Sequence, residues 1–78
     1  MHTQSVEAVV AQALGLPLAQ IHDDSGPQSL TAWDSVTHLD ILLSLEVDFG
    51  IKFTADEMIT LLSVGALKAA LRAKGVNA

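Results

Sequence analysis

The chain has 78 residues, half of them apolar but only 4% aromatic, no cysteine, and nine acidic against four basic side chains for a net charge of −5. That length makes a single domain, 1–78, near the size at which apolar burial only just exceeds chain entropy, with little material left to enclose a multi-residue active site. With no cysteine there is neither a disulfide staple nor a thiolate metal centre, no apolar run reaches the roughly 18 to 20 residues of a membrane span, and the acidic balance disfavours nucleic acid and membrane lipid as partners.

A core built from Leu, Val, Ile and Ala suits packed helices, so the fold class is all-α. Val6, Val9, Val10, Ala13 and Leu14 recur at helical spacing, Thr3 or Ser5 can cap the start, and Gly15 supplies a left-handed stop. From Leu16 to about Trp33 the periodicity breaks. Pro17, Asp23 to Pro27 and Ser29 are turn residues, with Leu16, Leu18, Ile21 and Leu30 as isolated anchors. A loop this long is uncommon unless it serves function, so it is expected to pack over the core or shape a surface beside the next helix.

That second helix is predicted from about Asp34 to Asp48, ended by Phe49-Gly50. Ile51, Lys52 and Phe53 alternate as a short extended piece that cannot form a sheet alone. Thr54-Ala55-Asp56-Glu57 fits a capping box, starting a third helix of about two turns through Met58, Ile59, Leu61 and Leu62. Ser63 caps a fourth. Its inner face is Val64, Leu67, Ala70 and Leu71, while Lys68, Arg72 and Lys74 stand towards its C-terminus, where cations suit the helix dipole, and Gly75 closes it.

The second helix is the informative one, because two of its faces are apolar. At about 100° per residue, Ile41, Leu42, Leu45 and Phe49 gather on one side and Val36, Leu39, Leu43 and Val47 on the other. A small domain buries one such stripe well. The second stripe, with Asp40 projecting within it, is a candidate surface for a partner with a hydrophobic groove and a basic border, unless the first loop or Met58 of the third helix covers it. No Lys or Arg precedes Lys52, so the first two-thirds of the chain is anionic and would attract basic partners. Solubility alone also accounts for an acidic surface.

Ser35 begins this helix. A serine there is ordinarily the cap, but Asp34 caps equally well, and with Asp34 in that role the Ser35 hydroxyl points outward at the positive end of the helix dipole, a setting that suits a phosphoester. Catalysis is a poorer fit. His38 lies one turn from Ser35 and Asp34 is adjacent, yet three groups on one exposed turn make no water-excluding pocket for a Ser-His-Asp hydrolase. His38 is expected instead to pack near the loop or hydrogen bond at the helix start. Trp33 is expected to pack the loop against the helix as a hydrophobic staple, with contact to a tethered ligand as its other role. His2, His22 and His38 lack metal-ligand spacing, and Asp23-Asp24 and Asp56-Glu57 read as solvated carboxylates, so no metal site is expected.

Trp33-Asp34-Ser35-Val36, then Leu39, Leu45-Glu46, Phe49-Gly50-Ile51 and Phe53, resembles the acyl carrier protein family over nearly the whole chain. The resemblance implies a four-helix bundle with a long first loop and a short third helix, and a carrier in place of a catalyst. It implies that Ser35, beside Asp34, receives 4′-phosphopantetheine from coenzyme A by way of a separate Mg²⁺-dependent phosphopantetheinyl transferase. The arm's thiol then holds an acyl or aminoacyl group as a thioester, supplying the sulfur this chain lacks. The resemblance places Val36, Leu39, Asp40 and Leu43 where such carriers contact partners, namely that transferase and acyl-loading, acyltransferase or synthase enzymes with basic and apolar docking patches, and Val47 of the same stripe and Met58 are expected to join that surface.

Two departures bear on the pathway. Val36 replaces the commoner leucine, and Val47 stands where the most acidic fatty-acid carriers often have glutamate. With Trp33 before Asp34-Ser35, the chain looks more like free-standing carriers of polyketide, nonribosomal-peptide or other specialised acyl pathways. A fatty-acid carrier and an unmodified carrier-like interaction module are the alternatives. Met1-His2-Thr3 lacks the basic start of a secretory signal, and a soluble cytoplasmic monomer is expected. A core of Leu, Ile and Val can part to shelter a short chain.

Overall fold

In a computed structural model, which describes residues 5–76, four helices run α1 (Val6–Leu14), α2 (Ser35–Phe49), α3 (Ala55–Thr60) and α4 (Val64–Ala73). A single 3₁₀ turn, Leu18–Gln20, interrupts the first loop. The all-α bundle with a long first loop and a short third helix is the fold expected, and no strand occurs among the described residues. None of these helices is long and apolar enough to cross a membrane. The body measures 29 × 26 × 18 Å, and its least dimension is under two helix diameters of about 10–12 Å, so every helix keeps one face in solvent.

Local signals set the boundaries. Ser5 caps α1 by accepting from the Ala8 amide at 3.1 Å, while Thr3 and His2 lie outside the described residues. Gly15 takes φ +69°, and the Leu16 amide donates back to the Ala11 carbonyl at 3.1 Å, closing the helix. The α3 capping box forms as read: Thr54 Oγ1 accepts from the Glu57 amide at 3.1 Å, and Glu57 Oε1 accepts from the Thr54 amide at 2.8 Å. Thr60 ends α3, two residues short of the predicted end at Leu62, so Leu61 and Leu62 belong to the connection. Ser63 caps α4 through the Ala66 amide.

The core is Val6, Val9 and Val10 of α1, Ile41, Leu42 and Leu45 of α2, Val64, Leu67 and Leu71 of α4, together with Ile21, Trp33 and Phe53. Each such aliphatic side chain contributes about 1.5–3 kcal/mol on burial. Ala13 and Leu14, placed on the buried face by their spacing, are half-buried, and Ala11 is buried in addition, because α1 packs against both α2 and α4 and its inner face is correspondingly wide. Phe49 and Ala70 are half-buried at the edge of this cluster.

The first loop is tied down by hydrogen bonds within itself and to the start of α4. Ser25, itself buried, accepts from the His22 amide at 2.8 Å, and Ser29 accepts from the Gly26 amide at 3.1 Å. The carbonyls of Ser25 and Asp23 then accept from the Val64 and Gly65 amides at 3.0 and 2.8 Å. Those are the first two amides of α4, which have no partner inside the helix. Leu18, read as an anchor of this loop, is exposed instead, since it sits on the outside of the 3₁₀ turn while Ile21 takes the buried place.

Lys68 does not serve the C-terminus of α4. It stands mid-helix and reaches Glu7 of α1 at 2.6 Å and Asp23 of the loop at 2.9 Å, tying three segments together. Lys74 likewise bonds Glu57 at 2.8 Å and lies over the Phe53 ring. Arg72 is the basic side chain left in the last turn. Glu46 holds the extended stretch after α2 by accepting from the Phe53 amide at 2.8 Å.

Candidate functional site

Asp34 is the residue before α2, in extended backbone, and its Oδ1 accepts from the Thr37 amide at 2.9 Å. That bond, followed by the Thr37 hydroxyl, holds the Asp34 carboxyl below the usual aspartate range. With the cap taken by Asp34, Ser35 becomes the first helical residue. It is exposed, and its hydroxyl enters no hydrogen bond among the described residues. The dipole of a fifteen-residue helix is directed at this position.

Trp33 turns inward and is almost wholly buried. Its indole Nε1 donates to His38 Nδ1 at 2.9 Å, the two rings lying 6.0 Å apart. An indole N–H can only donate, so Nδ1 is the unprotonated nitrogen and Nε2 carries the hydrogen. Nε2 lies 2.9 Å from the Met58 carbonyl and donates to it. His38 is the fourth residue after the cap, where a staple partner of Trp33 belongs, but the staple here is a hydrogen bond as well as a packing contact. Both ring nitrogens of His38 are thereby engaged away from Ser35, which leaves neither to act as its general base.

The two stripes of α2 separate as the helical spacing requires. Ile41, Leu42 and Leu45 are sealed in the core, whereas Val36, Leu39, Leu43 and Val47 are 78, 48, 47 and 82% exposed. Neither the first loop nor α3 covers them. Asp40 is exposed beside Leu39 and Leu43. A groove of about 500 Å³ between α1 and α2 is bordered by Asp40, Leu43, Val47 and Asp48 on one side and by Val9, Gln12 and Ala13 on the other.

A second cleft, of about 450 Å³, opens beside Ser35 and Asp34. Its walls are Pro27 of the loop, Trp33 and His38, and Met58, Ile59 and Leu62 of the α3 region. Met58 is half-buried against the core, while Ile59 and Leu62 are 71 and 44% exposed. The sequence reading placed Ile59 and Leu62 only as helix residues. The signal was present, because four apolar residues among Met58, Ile59, Leu61 and Leu62 cannot all face inward from so short a helix. The carboxylates of Asp23 and Glu57 are engaged by lysines, and Lys68 and Lys74 hold both below their ordinary pKa.

An exposed, uncommitted hydroxyl at a helix start, with an apolar cleft beside it, fits a group attached through a phosphoester better than it fits a catalytic serine. The phosphopantetheine attachment site family model matches residues 4–71. A search of curated proteins finds no match to the chain. With nearly its whole length covered by that model, this chain belongs to the phosphopantetheine attachment-site family, consistent with an acyl carrier, and is an attachment site for covalent 4′-phosphopantetheine.

Proposed function

We propose that the chain is one carrier domain, residues 1–78, that bears 4′-phosphopantetheine on Ser35 and presents acyl or aminoacyl thioesters to partner enzymes. The observation that carries this is the division of labour at the start of α2: Asp34 does the capping, so the Ser35 hydroxyl is exposed and uncommitted. In the transfer, Ser35 Oγ bonds to the pantetheine-side phosphorus of coenzyme A as the pyrophosphate P–O bond breaks. The adenosine bisphosphate half leaves, and the hydroxyl proton passes to a base of the transferase. The positive end of α2 favours the phosphodiester left behind. Once attached, the arm supplies a thiol for thioester formation on a chain that has no cysteine.

Carrier domains of this family are in general non-catalytic and work with a phosphopantetheinyl transferase and with synthase-type enzymes. The docking surface in this reading is Val36, Leu39, Asp40, Leu43 and Val47 on α2, with Met58 at its α3 border. Apolar side chains supply contact area there, and Asp40 and Asp48 set register against basic patches. The outward Val36 and Val47 make this face more apolar than a strongly acidic fatty-acid carrier would present. That supports polyketide, nonribosomal-peptide or another specialised acyl pathway, with a cytoplasmic, monomeric carrier.

Incubation with coenzyme A and a broad-specificity transferase, followed by intact-mass measurement, tests the reading. One phosphopantetheine is gained by the wild type and none by Ser35→Ala. A wild-type chain that gains nothing, yet binds its partner undiminished after Ser35→Ala, is an unmodified interaction module instead.

A further inference from the structure

His38 touches both residues that precede Ser35. Its amide donates to the Asp34 carbonyl at 2.8 Å, and its ring Nδ1 accepts from the Trp33 indole at 2.9 Å. The first is an ordinary helix bond. The second spans five residues and turns a side chain of α2 back onto the chain that leads into it. Trp33 is almost wholly buried and its amide donates to the Leu30 carbonyl at 3.0 Å, so the end of the first loop and the start of α2 are joined through this bridge. On its other side the ring donates from Nε2 to the Met58 carbonyl at 2.9 Å. That carbonyl has no partner inside its own helix, because the Leu62 amide that could reach it turns to Thr60 at 3.1 Å. The capping box and the Lys74 contact with Glu57 hold the start of α3, and the bond to His38 holds its last turn.

No buried side-chain nitrogen or oxygen lacks a partner among the described residues, and removing the His38 ring would make one of the Trp33 indole N–H. An indole that moves to regain a partner carries residues 33 and 34 with it, and Ser35 follows them directly in the chain. Direction matters there, because loading is a displacement at phosphorus. Ser35 Oγ bonds to the pantetheine-side phosphorus as the pyrophosphate P–O bond breaks, the adenosine bisphosphate leaves, and the hydroxyl proton passes to a base of the transferase. A nucleophile misplaced by about 1 Å slows such a step by up to about 100-fold. We propose that His38 is a positioning residue for the loading of Ser35, fixing the two residues that lead into α2 and with them the direction in which the Ser35 hydroxyl meets coenzyme A. The inference rests on the carrier reading above. At about 100° per residue, Val36, Leu43 and Val47 project from the side of α2 opposite His38, so the bridge governs the rate of transfer and not the affinity of docking.

The test is the kinetics of phosphopantetheine transfer from coenzyme A by a broad-specificity transferase, with kcat and the KM for the carrier measured below the unfolding temperature of each variant. His38→Val, which removes both ring bonds, is expected to lower kcat about 10- to 100-fold with KM close to wild type. His38→Gln, whose amide can accept from Trp33 and donate to Met58, restores most of kcat. Trp33→Phe keeps a buried ring but loses the donor, so it lowers kcat in the wild-type background and adds little to His38→Val. A role in stability alone gives another pattern: a smaller folded fraction raises the apparent KM and leaves kcat unmoved. That pattern overturns the proposal, as does a wild-type kcat in folded His38→Val or Trp33→Phe, or a His38→Gln protein no faster than His38→Val. If His38→Val does not fold, the other two decide it, Trp33→Phe having to be slow and His38→Gln close to wild type. Failure of the carrier reading has a different signature, a wild-type chain that gains no mass at all, and it removes the proposal too.

Discussion

Gly26→Ala is expected to be the most damaging single-methyl change outside the core. A Cβ on Gly26 would stand 2.2 Å from the Leu62 carbonyl oxygen and 3.2 Å from its carbon, both backbone atoms that no side-chain rotation can move. Relief to an ordinary C···O contact of about 3.3 Å needs a backbone shift of about 1 Å. The loop cannot give that shift freely. Residues 23 and 25 accept from the first two amides of α4 at 2.8 and 3.0 Å, and a displacement of about 1 Å takes both beyond hydrogen-bonding range. Two lost bonds at about 0.5–1.5 kcal/mol each and an overpacking term of about 1–3 kcal/mol oppose a gain of about 0.4–1 kcal/mol from stiffening the unfolded chain. The net loss is about 1–6 kcal/mol, centred near 3 kcal/mol, out of a total stability of about 4–12 kcal/mol for a chain this long. For a domain of this size a loss of about 3 kcal/mol lowers Tm by on the order of 10–25 °C. Gly15→Ala is the control: its φ of +69° resists a side chain, but nothing lies within 4 Å, so only the left-handed penalty of about 1–2 kcal/mol applies. Urea unfolding followed by circular dichroism reads both. A Gly26→Ala midpoint equal to wild type, or above that of Gly15→Ala, refutes the view that the loop is pinned to the α3–α4 connection.

Leu39→Asp and Leu43→Asp should each weaken binding to partner enzymes while leaving the helical signal and the urea midpoint close to wild type. Unfolding by either one means that its side chain is a core residue. Stability should fall on acidification, because the carboxyls of Glu7, Asp23, Asp34 and Glu57 are all held below their ordinary values, chiefly by hydrogen bonds from Lys68, Lys68, the Thr37 amide and Lys74. The unfolded chain takes up those protons first, so the stabilisation is present above the ordinary carboxylate range near pH 4 and is lost as pH falls below it. Lys68 works in the opposite sense: its pKa is raised by Glu7 and then Asp23, so its contribution holds below its ordinary value of 10.5 and disappears as pH climbs past it. A thermal-unfolding series across both limits that shows no decline at the acid end contradicts these assignments.

Much of the fold could be read from spacing because helices announce their limits locally. Ser5, Asp34, Thr54 and Ser63 cap where their side-chain chemistry says they should, and Gly15 and Gly50 stop helices with positive φ. The two stripes of α2 were equally legible, since exposure follows directly from which face the other helices cover. Long-range pairing was not. Nothing near Lys68 in sequence names Glu7, 61 residues away, as its partner, and a rule about helix dipoles assigned it to the C-terminus of α4 although it stands mid-helix. The His38 bridge escaped for the same reason: its spacing to Ser35 was visible, but the orphan carbonyl of Met58 becomes its target only once α3 ends at Thr60 and folds across α2. Leu18 failed as an anchor because a single 3₁₀ turn, too short to carry periodicity, decides which of its apolar neighbours faces in.

The claim that Asp34 frees Ser35 can be separated from a simpler one, that Asp34 merely contributes charge to recognition by the transferase. Asp34→Ala removes the side-chain acceptor for the Thr37 amide. Serine is a competent cap, so the helix can restart one residue later with Ser35 Oγ accepting from the amide of residue 37 or 38. That draws the hydroxyl back over the helix end and away from solvent, and the rate of phosphopantetheine transfer drops. Asp34→Asn caps as well as aspartate but carries no charge, so under the capping account it transfers at close to the wild-type rate and keeps the wild-type helix start. The readout that distinguishes the two is the Thr37 amide resonance, which senses its acceptor directly, measured beside the transfer rate. A slow Asp34→Asn protein whose Thr37 amide is unchanged assigns the effect to charge, and the account of Ser35 as a hydroxyl released by its neighbour then fails.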